Sequence, residues 1–183
     1  DFANVDINDT FFDSFREDYL EFNSWFNKKA DEQSYICYHD NILSAFLYIK
    51  IEGKDENYSE ILPLFPKKKR LKIGTLKVTS NGFKIGERFL KIIFDNALEN
   101  RVEEIYVTLF DKRFEQEQLI EMLETWGFIF YGIKTTQNGK EKVYVRTFGK
   151  NLTVNIEAPK LTFPFFSKDT NKFIVPIKAQ YHT

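Results

Sequence analysis

A single cysteine, Cys37, in 183 residues excludes an intrachain disulfide and any cysteine-built metal cluster. The two histidines, His39 and His182, do not make a metal site with that one thiol, so no metal is expected. No apolar run approaches the roughly 20 residues that span a bilayer. The opening Asp1-Phe2-Ala3-Asn4 does not read as a secretory leader, so the cytoplasm is the simplest compartment to expect and no membrane partner is implied. Neither sign of charge is in excess: 26 basic and 27 acidic residues leave a net charge of −1, so no whole-chain field draws the protein to nucleic acid or an acidic membrane. Methionine is nearly missing too. Met122 is the only one and the chain does not open with it, while Tyr181-His182-Thr183 carries no terminal signal. The sequence therefore reads as a piece of a longer polypeptide whose other domains would be partners.

Rings are abundant. Aromatics are 17% of the chain, with 20 Phe, and 43% of residues are hydrophobic, which is enough for one domain with a ring-rich core.

The stretch around which the rest is organised runs from Leu71 to Asn100. Leu71, Ile73, Leu76 and Val78 read as a strand if a bulge interrupts the alternation near Gly74. A turn follows, Ser80-Asn81-Gly82-Phe83-Lys84-Ile85-Gly86, and then a helix with Phe89, Leu90, Ile93, Ala97 and Leu98 on one face. A strand feeding a helix through a glycine turn offers free backbone N–H groups at the positive helix end, a seat for phosphate.

In chain order, Phe2 to Ile7 is expected as a short strand. Asp9 or Thr10 caps a helix running to about Lys29, whose apolar face is Phe11, Phe12, Phe15, Tyr19, Leu20, Phe22, Trp25 and Phe26. That face packs on the core, or its edge lines a cleft. Ser34–Tyr38 and Ile42–Ile51 are strands around a tight turn at His39-Asp40-Asn41. Glu52 to Lys69 reads as a polar loop ending in Lys67-Lys68-Lys69-Arg70, a solvated basic cluster that leaves nucleic-acid contact open. Glu104–Phe110 is a strand, Phe114–Trp126 a helix stopped by Gly127, and Phe128–Ile133 and Lys142–Phe148 a hairpin around Asn138-Gly139. Residues 149–183 read as an extension with one good strand, Phe173–Ile177.

This order, the turn after the fourth strand, and the run Leu119-Ile120-Glu121-Met122-Leu123-Glu124-Thr125-Trp126-Gly127-Phe128 resemble the GNAT superfamily of acyl-CoA-dependent N-acetyltransferases. The resemblance covers residues 2 to 148. It implies an α/β fold: a mixed, mostly antiparallel sheet of about seven strands flanked by helices, with domain 1–148 and a C-terminal extension 149–183. In the family's turn pattern, Gly82, Ile85 and Gly86 match, Asn81 stands for the usual Arg or Gln, and Lys84 for the middle Gly. The tail from Phe173 resembles bacterial proteins that join such a domain to a PIN-type nuclease domain.

The resemblance further implies acetyl-CoA as co-substrate and an amine of unknown identity as acceptor. The fourth and fifth strands would splay to admit the pantetheine arm, which would bond to the backbone of Leu76, Lys77 and Val78. The pyrophosphate would sit on Asn81, Gly82, Phe83, Lys84, Ile85, Gly86 and Glu87. The family's proton-donating Tyr maps to Leu123 and an Asn before it maps near Gln116, so no catalytic residue is assigned. Glu17, Tyr106, Asp111, Tyr131 and Tyr144 remain open as general base. The alternative is a catalytically degenerate GNAT-like binding or regulatory module in a larger, nucleic-acid-associated protein. Cys37 and His39, two apart on a strand, read as a thiol beside a turn histidine rather than a nucleophile pair.

Overall fold

The computed structural model describes residues 1–79, 84–147, 160 and 163. The strands are β1 (Tyr35–His39), β2 (Ile42–Glu52), β3 (Ile61–Leu62), β4 (Arg70–Val78), β5 (Glu104–Leu109), β6 (Ile129–Thr136) and β7 (Gly139–Thr147). The helices are α1 (Asp13–Asp18), α2 (Phe22–Asn27), α3 (Ile85–Glu99) and α4 (Phe114–Thr125). All seven strands form one sheet in the order β1-β2-β4-β5-β7-β6-β3, antiparallel at every pairing except β4 with β5. The expected α/β fold with a mixed, mostly antiparallel sheet is observed. No described helix is long and apolar enough to cross a membrane.

Three of the expected elements differ. Phe2 to Ile7 is not a strand: Phe2–Asn4 is a 3-10 helix, closed by Val5 N–H donating to Phe2 O at 3.0 Å. That turn puts Phe2 and Val5 into the same apolar cluster, whereas a strand would send residues three apart to opposite faces. The span Glu52–Lys69 is not simply a polar loop. It carries β3, and its Tyr58, Ile61 and Phe65 join Tyr106, Val143 and Val145 in a buried cluster. So the strand count matches while its membership does not.

The single helix expected up to Lys29 is broken at Tyr19, whose backbone is extended (φ −131°, ψ 105°) between α1 and α2. Its start is as expected, because the Asp9 side chain accepts from Phe11 N–H at 2.8 Å. Helix α3 buries Ile85, Phe89, Leu90, Ile93, Phe94 and Ala97 at helical spacing. Helix α4 ends where Phe128 N–H returns to Leu123 O at 3.0 Å, with Gly127 at φ +80° supplying the left-handed step. Asp40 (φ 49°) and Asn41 (φ 62°) are both left-handed, the conformation a two-residue β1–β2 hairpin needs. In the β6–β7 hairpin Thr136 pairs with Gly139, so the turn's central residues are Gln137 and Asn138.

The sheet separates two cores. Ala45, Leu47, Leu71, Ile73, Ile105 and Val107 face α3 and α4. Phe46 and Tyr48, on the opposite face of β2, pack with Phe2, Phe11, Phe12, Phe22 and Phe26 from the N-terminal layer. Phe163 packs its ring on Phe94 and Trp126 at 5.6 and 5.7 Å, on the α3–α4 side. The expected strand Phe173–Ile177 and His182 lie outside the described residues.

Candidate functional site

Strand β4 is the seam of the molecule. It pairs with β2 along its whole length, from Glu52↔Arg70 to Ala45↔Val78. It pairs with β5 only from Arg70↔Glu104 to Ile73↔Val107. The cause is local and was expected at this position: Tyr48 faces Thr75 and Ile49 faces Ile73, leaving Gly74 as the extra residue of a bulge. Glycine is required there, because a Cβ would lie 2.6 Å from the Tyr48 ring. Past the bulge β4 follows β2 and leaves β5.

A cleft of about 390 Å³ fills the resulting gap. Ile73, Gly74, Thr75 and Leu76 form one wall and Val107, Thr108, Leu109 and Phe110 the other. Tyr19, Phe22 and Trp25 reach it from the N-terminal layer, and Gln116 and Leu119 from α4. Since those two layers cover opposite faces, the cleft passes through the sheet. A smaller cavity of about 90 Å³ adjoins it between β3, β4 and β5, and Glu52, Lys72, Thr108 and Lys134 line both.

The floor of the cleft holds buried carboxylates. Glu141 Oε1 accepts from Tyr19 Oη at 2.5 Å and Thr108 Oγ1 at 3.2 Å, and its Oε2 is 3.7 Å from Lys134 Nζ. Glu52 Oε2 accepts from Tyr106 Oη at 2.6 Å and Tyr58 Oη at 3.0 Å, while its Oε1 lies 3.8 Å from both Lys50 and Lys72. Asp18 Oδ2 accepts from Arg113 at 2.5 Å and Gln116 at 2.8 Å. Burial, then the adjacent carboxylate, pushes the phenols of Tyr19 and Tyr106 far above their ordinary range. Tyr58, by the same causes, is pushed up to about 12. Burial lowers Lys72, against the raising effect of Glu52. The Tyr48 hydroxyl is buried, borders the cleft and has no hydrogen-bond partner among the described residues.

The expected cofactor residues are distributed as follows. Leu76 lines the cleft. Lys77 directs its ammonium away, donating to Phe11 O at 2.6 Å and Ser14 Oγ at 2.8 Å, and Val78 packs on the main core. Asn81, Gly82 and Phe83 lie outside the described residues. Lys84 caps α3 with φ +50°, so it adopts the left-handed backbone that glycine favours, and its side chain is exposed. Gly86 has its own packing reason: a Cβ would sit 2.8 Å from Met122 Sδ. Glu87 is ion-paired with Lys160. Helix α3 begins at the end of β4 where the gap opens, with its first-turn N–H groups at Ile85, Gly86 and Glu87.

Leu123, to which the resemblance maps a tyrosine, is fully buried in the main core. Of the residues left open as base, Glu17 is held by Arg113 at 2.8 Å and Asp111 by Lys142 at 2.7 Å, each at the surface. Tyr131 donates to Leu64 O at 2.5 Å, and Tyr106 is committed to Glu52. Tyr144 is buried, its phenol raised by desolvation and by Glu124. None of these five lines the main cleft. Glu141, Glu52 and Lys72 were not picked out from the sequence, and their one signal is a charge on a strand of the sheet. Tyr19 was expected on the helix face whose edge lines a cleft, and it does line the cleft.

The basic cluster is largely consumed within the fold. Lys68 pairs with Glu104, Lys69 donates to Asn100 O at 2.5 Å, and Arg70 is buried rather than solvated. Its guanidinium lies 3.7 Å from the Phe65 ring centre and 2.8 Å from Glu104. Cys37 packs against the main core and His39 is exposed beside Asp40; the pairing skips Ser44 of β2 opposite Cys37 and Tyr38.

No protein-family model matches the chain, and neither does any curated protein. Solved structures do. One is an acetyltransferase of the GNAT family from Streptococcus agalactiae, 14% identical over 75% of this chain and 79% of that one, with a TM-score of 0.54. Another is Arabidopsis thaliana Naa50 in complex with the bisubstrate analogue CoA-Ac-MVNAL, 18% identical over 69% and 81%, at 0.50. A third is Arabidopsis thaliana NAA60 with a bisubstrate analogue, 13% identical over 77% and 94%, at 0.50. At such identities the likeness is one of fold, and the fold is that of the GNAT acetyltransferases.

Proposed function

We propose that this chain is an acetyl-CoA-dependent N-acetyltransferase. The observation that carries the reading is the parting of β4 from β5 after Ile73 and Val107, with a cleft through the sheet at that point. A pantetheine arm is a chain of amides, and the β4 edge from Gly74 to Val78 lacks a strand partner on the β5 side. The arm would bond there like an added strand. The pyrophosphate would lie at the start of α3, over the N–H groups of Ile85 to Glu87 and the turn Asn81-Gly82-Phe83, where the helix carries about half a positive charge.

The acceptor amine would enter from the side of Tyr19, Phe22 and Trp25. An amine arrives as an ammonium and must lose a proton before it attacks. Glu141 is the carboxylate suited to receive it, held in place by Tyr19 and Thr108 with Oε2 3.7 Å from Lys134. Backbone N–H groups of β4 beyond the bulge would stabilise the oxyanion. The test is calorimetric titration of acetyl-CoA and of free CoA into the purified domain. Saturable micromolar binding of both supports the reading, and absence of binding to folded protein overturns it.

A second reading, a CoA-binding module without turnover, is favoured by Leu123. The α4 position that carries a hydroxyl in the family is here closed inside the core. CoA binding with no acetyl transfer to any of a broad panel of amines would select it.

A further inference from the structure

We propose that the domain acylates itself, with the Lys72 amine in the cleft taking the acyl group from a bound acyl-CoA. The inference rests on the acyltransferase reading above. It starts from position: Lys72 is one residue before Ile73, the last β4 residue paired with β5, so it sits where the gap begins. Its side chain lines both the main cleft and the smaller cavity behind it. It shares a face of the sheet with Tyr106 and with Glu52, the side from which an acceptor amine would come.

Four lysines line the main cleft, and three are otherwise held. Lys29 donates to Glu32 at 3.1 Å, and Lys50 donates to Glu56 at 2.5 Å. Lys134 lies on β6, between Glu60 and Glu141 at 3.7 Å from each. Lys72 Nζ makes no hydrogen bond among the described residues; it lies 3.8 Å from Glu52 and 5.7 Å from the Tyr106 ring centre. Desolvation in the cleft favours its neutral, nucleophilic form.

The step balances without a further reagent. Glu52 or water takes a proton from the ammonium, and the nitrogen lone pair attacks the thioester carbonyl carbon. The N–C bond forms, the C–S bond breaks, and the thiolate leaves with its electron pair. It takes up the second proton released by the nitrogen. The products are an Nε-acyl-lysine and free CoA thiol. The amide is not labile, so the acyl group stays. It removes one of the two positive charges beside Glu52 and occupies the acceptor side of the cleft. Self-acylation would thus shut the site down at high acyl-CoA.

The experiment is peptide mapping by mass spectrometry after incubating the domain with acetyl-CoA, with and without excess free CoA, alongside calorimetry of CoA binding. Acetylation at Lys72 is expected to run at least about tenfold faster than at exposed lysines, because a held nucleophile reacts at high effective molarity. Free CoA should suppress it at Lys72 and leave slow surface acetylation unchanged. Lys72→Arg, which keeps the charge, should abolish the fast phase. If CoA binds and Lys72 is acetylated no faster than surface lysines, or Lys134 is modified instead, the self-acylation proposal falls and the acyltransferase reading stands. If CoA does not bind, both fall.

Discussion

The Tyr19 hydroxyl donates to Glu141 Oε1 at 2.5 Å, tying the break between α1 and α2 to β7 across 122 positions of sequence. At the break Tyr19 is extended, and Phe15 and Phe22 on either side of it stack at 5.3 Å. Tyr19→Phe should therefore cost about 1.5–3 kcal/mol, as for a hydrogen bond to a charged group. A urea midpoint shift at unchanged m-value checks it.

Glu141→Gln keeps the shape and the Tyr19 and Thr108 donors while removing the base. We expect kcat to fall by about 10²-fold or more, with KM for acetyl-CoA little changed. A loss confined to KM would assign Glu141 to binding alone.

Tyr19, Tyr58 and Tyr106 have phenols raised by burial and by Glu141 or Glu52. In the unfolded chain they ionise near the ordinary value of about 10. A raised folded value means that their contribution is complete below about pH 10 and is lost as pH climbs toward the folded values, the lowest being about 12 for Tyr58. Spectrophotometric titration should show these phenols ionising together with alkaline unfolding. Their smooth ionisation in folded protein would contradict the burial argument.

Two glycines should respond differently to alanine. At Gly132 a Cβ would meet the Leu62 carbonyl, with Leu62 O at 2.1 Å and Pro63 Cδ at 2.7 Å. Backbone cannot step aside cheaply, so Gly132→Ala should detach β3 from β6 and cost more than about 3 kcal/mol. At Gly86 the obstacle is the Met122 thioether, a flexible group, and Gly86→Ala should cost less than about 1.5 kcal/mol. Thermal melts of the two variants give the ranking directly.

Lys84→Glu places a carboxylate at the α3 cap, where the proposed pyrophosphate would lie. CoA should bind about tenfold more weakly, from reversing one charge close to a phosphate in a wet site. The effect should shrink as salt is raised. An unchanged affinity would move the phosphate elsewhere.

Local signals in the sequence were strong wherever a single residue decides the backbone. Gly74 marked the bulge by leaving room for the Tyr48 ring, Asp9 the first cap by its side-chain acceptor, and Gly127 the end of α4 by its left-handed backbone. The Phe2–Ile7 segment misled because alternating apolar residues can serve a 3-10 turn as well as a strand. Tertiary demand for Phe2 among Trp25, Phe26, Phe46 and Tyr48 made the choice. The cleft itself was legible only through the family resemblance. Its polar residues come from β2, β4, β5, β7 and the N-terminal layer, and no local spacing joins Tyr19 to Glu141 or Glu52 to Tyr106. In a strand, a charge reads as the solvent side until the covering layer is known, and here that layer is α1, α2 and the β3 segment.

Among the described residues, four strand pairs, from Arg70↔Glu104 to Ile73↔Val107, make the ladder that joins β1-β2-β4 to the β5-β7-β6-β3 half of the sheet. Such a short seam leaves the β4 edge beyond Ile73 without a ladder partner on the β5 side. Its edge amides, Thr75 to Val78, should be among the first of the sheet to exchange with solvent deuterium. A molecule that laid its own amides along that edge would complete the missing ladder and lock the halves together. Slowed exchange on both sides of the seam would then report occupancy before any product forms.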